Sequence, residues 1–182
     1  MTKKEARQKA NSAYAEWHST DPEGPVRASR RIWAGLEATE SFHRAGTVLL
    51  YMSIDGEVMT REFIDKWSGS KRIALPLVKG ETLQLKAYDP SRLKKGYRGI
   101  TEPSDNAEDI APADVDLAVI PGAAFARNGT SVLRLGRGGG FYDRLLPLLD
   151  CPRIGVCYES RVLDDIPTDP WDIALDGLIS EK

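Results

Sequence analysis

Thr47-Val48-Leu49-Leu50-Tyr51-Met52 is the stretch on which the fold turns. An unbroken apolar run of strand length, without polar alternation, is what a strand covered on both faces requires, and such strands belong to parallel sheets. After it, Ser53-Ile54-Asp55-Gly56-Glu57 reads as a turn, and Thr60 as the cap of a helix running to about Trp67. Arg72-Ile73-Ala74-Leu75-Pro76, Leu117-Ala118-Val119-Ile120-Pro121-Gly122 and Arg153–Cys157 read as further buried strands, and Ala174–Ile179 as the last. Thr82–Tyr88 alternates, as an edge strand does. Ahead of the first strand, Ala6, Ala10, Ala13 and Trp17 form one apolar stripe at helical period over residues 3–18, with Lys3, Arg7 and Tyr14 along its edge. Asp21-Pro22-Glu23-Gly24-Pro25 breaks that helix, and a second carries Val26, Ser29, Trp33 and Leu36 inward to about residue 40. Asp89 to Asp114 is polar, rich in Gly, Pro and Asp and without period, so it reads as one long loop. Phe141–Leu149 reads as helix. Strands alternating with helices make the class α/β: three layers, a mainly parallel sheet with helices on both faces, in one domain over residues 1–182.

Composition narrows the function classes. A hydrophobic fraction of 41% and a charged fraction of 29% are usual for a globular protein, and 25 basic against 27 acidic residues leave a net charge of −2. Nothing in that balance argues for nucleic acid or an anionic membrane. The basic runs Lys3–Lys9 and Arg92–Arg98 read first as solvated faces, with small-anion binding as the minority reading. Cys151 and Cys157 have neither disulfide-framework nor metal-pair spacing and, flanking an apolar run, read as buried free thiols. The amino terminus has no apolar signal region, and no run nears the ~20 apolar residues of a membrane span. A cytoplasmic protein is expected, as a monomer, with a homodimer left open. His18 and His43 have no ligand-spaced partner, so a zinc or Ser-His-Asp site has no support.

The chemistry concentrates in Arg134-Leu135-Gly136-Arg137-Gly138-Gly139-Gly140-Phe141-Tyr142-Asp143-Arg144. Glycine allows positive φ and close approach of a ligand. A helix beginning at Phe141 would offer free N–H groups to an anion, and arginines add forked donors for phosphate oxygens. The segment reads as a polyphosphate cradle. It is not a P-loop, which needs a lysine after its last glycine. Nor is it the dinucleotide fingerprint, because Phe141 stands where the third glycine belongs and the segment does not follow the first strand.

Arg134 to Asp143 resembles the Arg-Leu-Gly-x-Gly-x-Gly-Tyr-Tyr-Asp signature of the 5-formyltetrahydrofolate cyclo-ligase family. Lys3-x-x-x-Arg7 resembles that family's amino-terminal ATP-contacting pair. Met52-Ser53-Ile54-Asp55-Gly56-Glu57, with Thr60, resembles its folate-binding turn, and Pro121-Gly122-x-x-Phe125 its strand end before the glycine segment. Asp172-x-x-x-Asp176 resembles the closing segment with its second magnesium carboxylate. This chain departs from the pattern at Ala6, at Ala126, at the extra residues near Thr130 to Leu133, and at Phe141 in place of tyrosine.

The resemblance implies the scaffold of sugar-phosphate isomerases and CoA-transferases. It also implies an ATP- and Mg²⁺-dependent ligase of folate and one-carbon metabolism that closes 5-formyltetrahydrofolate to 5,10-methenyltetrahydrofolate. On it, Lys3, Arg7, Arg134, Leu135, Gly136, Arg137, Gly138, Gly139, Gly140, Phe141 and Tyr142 would contact ATP. Met52, Glu57 and Tyr142 would contact the folate, Asp143 and Asp172 the Mg²⁺, and Arg134, Arg137 and Tyr142 would form the catalytic set. Read alone, Glu57 is more often a surface or helix-capping acid, Asp143 an ordinary first-turn acid, and Lys3 with Arg7 a solvated face. A sugar-phosphate isomerase or acyl-CoA transferase would need the phosphate loop without the carboxylate pair. An RNA-associated module would need basic stripes with exposed aromatics.

Overall fold

The computed structural model describes residues 1–182. The order is α1 (Lys3–Thr20), α2 (Gly24–Glu37), α3 (Glu40–Arg44), β1 (Thr47–Leu49), α4 (Arg61–Trp67), β2 (Arg72–Lys79) and β3 (Thr82–Ala87). Then come β4 (Leu93–Lys95), β5 (Thr101–Pro103), β6 (Asp109–Ile110), β7 (Leu117–Ile120), β8 (Ala124–Asn128) and β9 (Ser131–Leu135). The chain closes with α5 (Phe141–Leu145), β10 (Arg153–Val156) and β11 (Gly177–Ile179). Seven strands form one sheet in the order β11-β10-β7-β1-β2-β3-β6. The first five run parallel, and β3 and β6 are antiparallel additions.

Side chains alternate across the sheet and build two cores. Val48, Leu50, Ile73, Leu75, Leu117 and Val119 meet Ile32 and Leu36 of α2, Phe42 of α3, and Phe63 and Ile64 of α4. Leu49, Ala74, Ala118 and Ile120 face the other way, against Leu145, Leu146 and Leu149. Helices therefore cover both faces, and Val48, Leu49 and Leu50 are each 0% exposed, as the apolar run demands. The alanine stripe of α1 makes a third cluster, in which Ala6 and Ala10 lie against Ala124, Ala126 and Leu135 of the β8–β9 hairpin. Short side chains let the helix approach that hairpin closely. No helix is long and apolar enough to cross a membrane.

Several elements differ from the sequence expectation. The polar stretch from Asp89 to Asp114 is not one loop, because it holds the β4–β5 hairpin and β6, strands too short to show a period. Strand β3 is not an edge, since β6 pairs along Leu85 and Lys86. Strand β2 runs through Pro76 to Lys79, and Pro76 lies beyond the three residues paired with β1. The helix expected to run to Leu149 stops at Leu145 and gives way at Pro147 to a 3₁₀ turn. Thr60 holds the N-cap position without capping; it accepts the Ser53 N–H at 3.0 Å while Ser53 Oγ accepts the Thr60 N–H at 3.1 Å. That exchange ties off the turn after β1. The second helix ends at Glu37, and Val26 on it is only half-buried.

Asp176 belongs to the frame. It accepts the Arg153 N–H at 2.8 Å and the Arg153 Nε–H at 3.2 Å, which holds β11 to the start of β10. Burial works to raise its pKa, but the bonds from Arg153 outweigh burial and the net shift is downward. A lowered folded pKa adds stability above the ordinary aspartate value, lost as pH falls through the folded one. Asp176→Ala should cost about 1 kcal/mol at neutral pH, a modest figure because the side chain is half-exposed, and less in acid. Thermal melts across pH check both the size and the sign of the effect.

Candidate functional site

Strand β1 has β2 on one side and β7 on the other, so the chain's strand order reverses between β1 and β7. In open parallel sheets, ligands bind beyond the carboxyl ends of the strands at such a switch point. A cavity of 730 Å³ opens there. The turn after β1 supplies Glu57, the end of β7 Pro121 and Gly122, and β9 Arg134. The glycine segment and the start of α5 form one wall, and the β4–β5 hairpin faces them. Pro76, Val78 and Leu83 make an apolar floor.

Arg134 is the pivot of this site. Its residue is 7% exposed, and its Nη2 donates to Asp143 Oδ1 at 2.5 Å and its Nη1 to the Pro121 carbonyl at 3.3 Å. The guanidinium lies 5.5 Å over the Tyr142 ring. Burial pushes its pKa down; Asp143, then Tyr142 and Asp172, work in the other direction. Arg134 thus sits in the fields of both Asp143 and Asp172. Its Nε–H is buried without a partner.

Gly138 and Gly140 have φ of 103° and 67°, where a side chain would be strained. Two arginines grip the segment by its carbonyls. Arg7 Nε donates to the Gly136 carbonyl at 2.7 Å, and Arg144 Nη2 to that of Gly139 at 2.7 Å. The N–H groups of residues 136 to 140, in contrast, donate to nothing in the protein. A row of free N–H groups beside fixed guanidinium charge is what an anion-binding concavity consists of. The helix behind it is only five residues long, so the loop amides rather than a helix dipole carry the cradle.

Glu57 and Arg137 meet across 80 residues of sequence, Arg137 Nε donating to Glu57 Oε1 at 3.0 Å. Glu57 Oε2 accepts the Ile54 N–H at 3.1 Å. Burial pushes the Glu57 carboxyl above the ordinary glutamate value, and Arg137 pulls it back only in part. Two residues outside the sequence expectation pin this turn. Arg161, 3% exposed, donates through Nε to the Gly56 carbonyl at 2.5 Å and through Nη1 to Asn11 at 2.9 Å and Ala123 at 3.0 Å. The Tyr158 hydroxyl donates to the Glu57 carbonyl at 2.9 Å. Their side-chain bonds go mostly to backbone carbonyls, which leave no mark in the letters.

The remaining expected residues fall into three groups. Met52, Phe141 and Tyr142 line the cavity, and burial drives the Tyr142 phenol well above the ordinary tyrosine range. Lys3 and Arg7 reach the site from α1, outside the cavity; Lys3 Nζ contacts Asp169 at 2.7 Å and Asp172 at 2.5 Å. Burial opposes the charge on Asp172, but Lys3 and the Asp169 N–H outweigh it and lower its pKa. Leu135 does not line the cavity: strand alternation points Arg134 into it and buries Leu135 beside Ala6 and Ala10. Arg144, which ends the glycine-rich stretch, braces the Gly139 and Glu81 carbonyls.

The raised pKa of Glu57 makes a prediction about stability. Its contribution is fully present below the unfolded glutamate pKa and is lost as pH rises through the folded value. Glu57→Gln should therefore melt at or above the wild-type temperature at neutral pH, with the difference shrinking in acid. Paired melts over that range check the sign.

This arrangement has relatives. A protein of Haemophilus influenzae named 5-formyltetrahydrofolate cyclo-ligase is 33% identical over 141 residues, 72% of this chain and 74% of its own. One of the same name from Escherichia coli is 32% identical over 145 residues, 75% of this chain and 78% of its own. The solved structure of Aquifex aeolicus 5,10-methenyltetrahydrofolate synthetase superposes with a TM-score of 0.85 at 33% identity, over 100% of this chain and 91% of that one. The family model described as 5-formyltetrahydrofolate cyclo-ligase matches residues 2–181, and the chain belongs to that family.

Proposed function

We propose that this protein cyclises 5-formyltetrahydrofolate to 5,10-methenyltetrahydrofolate while converting ATP to ADP and phosphate. One observation carries the reading. The free amides of residues 136 to 140 and the Arg134 and Arg137 guanidinia share a single cavity with the buried acid Glu57. A phosphate site and a site for N–H donors are thereby joined. Glu57 suits the N–H edge of the pterin, since a carboxylate accepts two donors side by side. Tyr142 and the apolar floor suit its ring.

The reaction needs no enzymic nucleophile. The formyl oxygen attacks the γ-phosphorus, the bond from that phosphorus to the bridging oxygen breaks, and ADP leaves. The 10-nitrogen then adds to the formyl carbon, the carbon–oxygen bond breaks, phosphate departs with the former formyl oxygen, and the nitrogen's proton is lost to solvent. Work of this kind is positioning and charge stabilisation. The loop amides, Arg134 and Arg137 would hold the transferring oxygens, with Lys3 and Arg7 approaching from α1. Met52 and Tyr142 would keep the folate's reacting face on the phosphate.

Asp143 and Asp172 fit a hard cation such as Mg²⁺, which prefers oxygen ligands. Asp143 bonds Arg134 and Asp172 bonds Lys3, so each carboxylate already faces a cation that the metal would share or replace. No group of three or more Asp, Glu, His or Cys side chains is gathered there, which suits a cation that shares its ligands with phosphate and water rather than a protein cage. When bound, Mg²⁺ supplies charge neutralisation on the phosphates.

Protein incubated with Mg-ATP and 5-formyltetrahydrofolate should generate the near-ultraviolet absorbance of the methenyl product, and lose it when nucleotide or divalent metal is omitted. Product formed without nucleotide would overturn the reading. Arg134→Ala should weaken nucleotide binding tenfold or more, since a charge-assisted contact contributes roughly 1.5–3 kcal/mol. It should also lower the melting temperature, because Asp143 loses its cation. Calorimetric titration beside a thermal melt reads both effects.

A further inference from the structure

Glu102 on β5 is 6% exposed and borders the same cavity. Its carboxylate takes part in no ion pair and accepts no hydrogen bond from the protein. The cation opposite it in register, Lys94, turns to Asp105 instead. Arg98, on the connecting turn, lies over the Tyr97 ring at 5.2 Å. Yet the hairpin is shaped around this carboxyl. A Cβ on Gly96 would fall 1.8 Å from Glu102 Oε1, so only glycine leaves room for the acid to fold back beneath the turn.

A buried carboxylate without donors is costly, and a ligand that brings donors removes the cost. Glu102 itself repels phosphate oxygens, and Arg7, which bonds the Gly136 carbonyl, does not line the cavity that Glu102 borders. Pro76, Val78, Leu83 and Ile100 give the cavity an apolar lining suited to a ring system. Glu57 is already shared with Arg137. Resting on the folate reading above, we propose that Glu102 is a second substrate-recognising carboxylate, accepting N–H groups of the bound folate that Glu57 does not reach.

The test is direct titration of 5-formyltetrahydrofolate, and separately of Mg-ADP, into wild type, Glu102→Gln and Glu102→Leu. Folate affinity should fall about tenfold or more in both variants, with Mg-ADP affinity unchanged. Neither variant should melt below wild type, because Glu102 makes no ion pair or hydrogen bond within the protein for either to remove. Unchanged folate binding would overturn the assignment. So would weakened Mg-ADP binding with folate binding intact, which would place the residue at the nucleotide. Loss of both affinities with a lowered melting temperature, or failure of both variants to fold, would make Glu102 structural and overturn it too. A wild-type protein that binds the folate without cyclising it would sink the proposed reaction, while these titrations would still decide Glu102.

Discussion

The site depends on one buried cation. A guanidinium nine-tenths removed from water is expensive unless its surroundings answer it, and Arg134 is answered by Asp143, the Pro121 carbonyl and the Tyr142 ring. Those three partners come from the end of β7 and from α5. Satisfying one arginine therefore fixes where the glycine segment leaves β9 and where α5 begins. Gly136 lies close against it, since a Cβ there would come within 3.0 Å of the Arg134 guanidinium, while at Gly122 the Phe125 ring, at 2.7 Å, is the nearer obstacle and Arg134 the second.

Around that pivot the segment is held by its carbonyls and left free at its amides. Arg7 and Arg144 grip it from opposite sides, from α1 and from within α5. Their bonds orient the peptide units so that the N–H groups stay available to an anion. The ion pair of Arg137 with Glu57 then joins this segment to the turn after β1. Phosphate and pterin would compete for the two members of that pair, so occupancy of one end of the cavity bears on the other. Arg161 and Tyr158 keep the Glu57 turn in place while that exchange occurs.

The legible parts of the molecule were those whose burial writes a pattern. Thr47 to Met52 reads as a strand because both its faces are covered, and the alanine stripe of α1 reads as a helix because one face meets the β8–β9 hairpin. The glycine segment was legible through its letters. The β8–β9 hairpin itself and the β4–β5 hairpin were not, although Asn128-Gly129 is a turn pair and Gly129 has a φ of 60°. Strands of three to five residues packed between loops carry too little periodicity. The packing of the Leu135 side chain away from the cavity is not visible in the letters, because neighbouring residues of a strand point to opposite sides. Arg161 and Glu102 could not be found from sequence at all, since one is answered mainly by carbonyls and the other by nothing in the chain.

The central claim is that this site joins the γ-phosphoryl group of ATP to the formyl oxygen of the folate. Substrate labelled with heavy oxygen in its formyl group tests it most directly, with mass spectrometry of the phosphate released in a single turnover. The account predicts that the label passes from the formyl group into inorganic phosphate. Unlabelled phosphate, with the label lost to water, would contradict it.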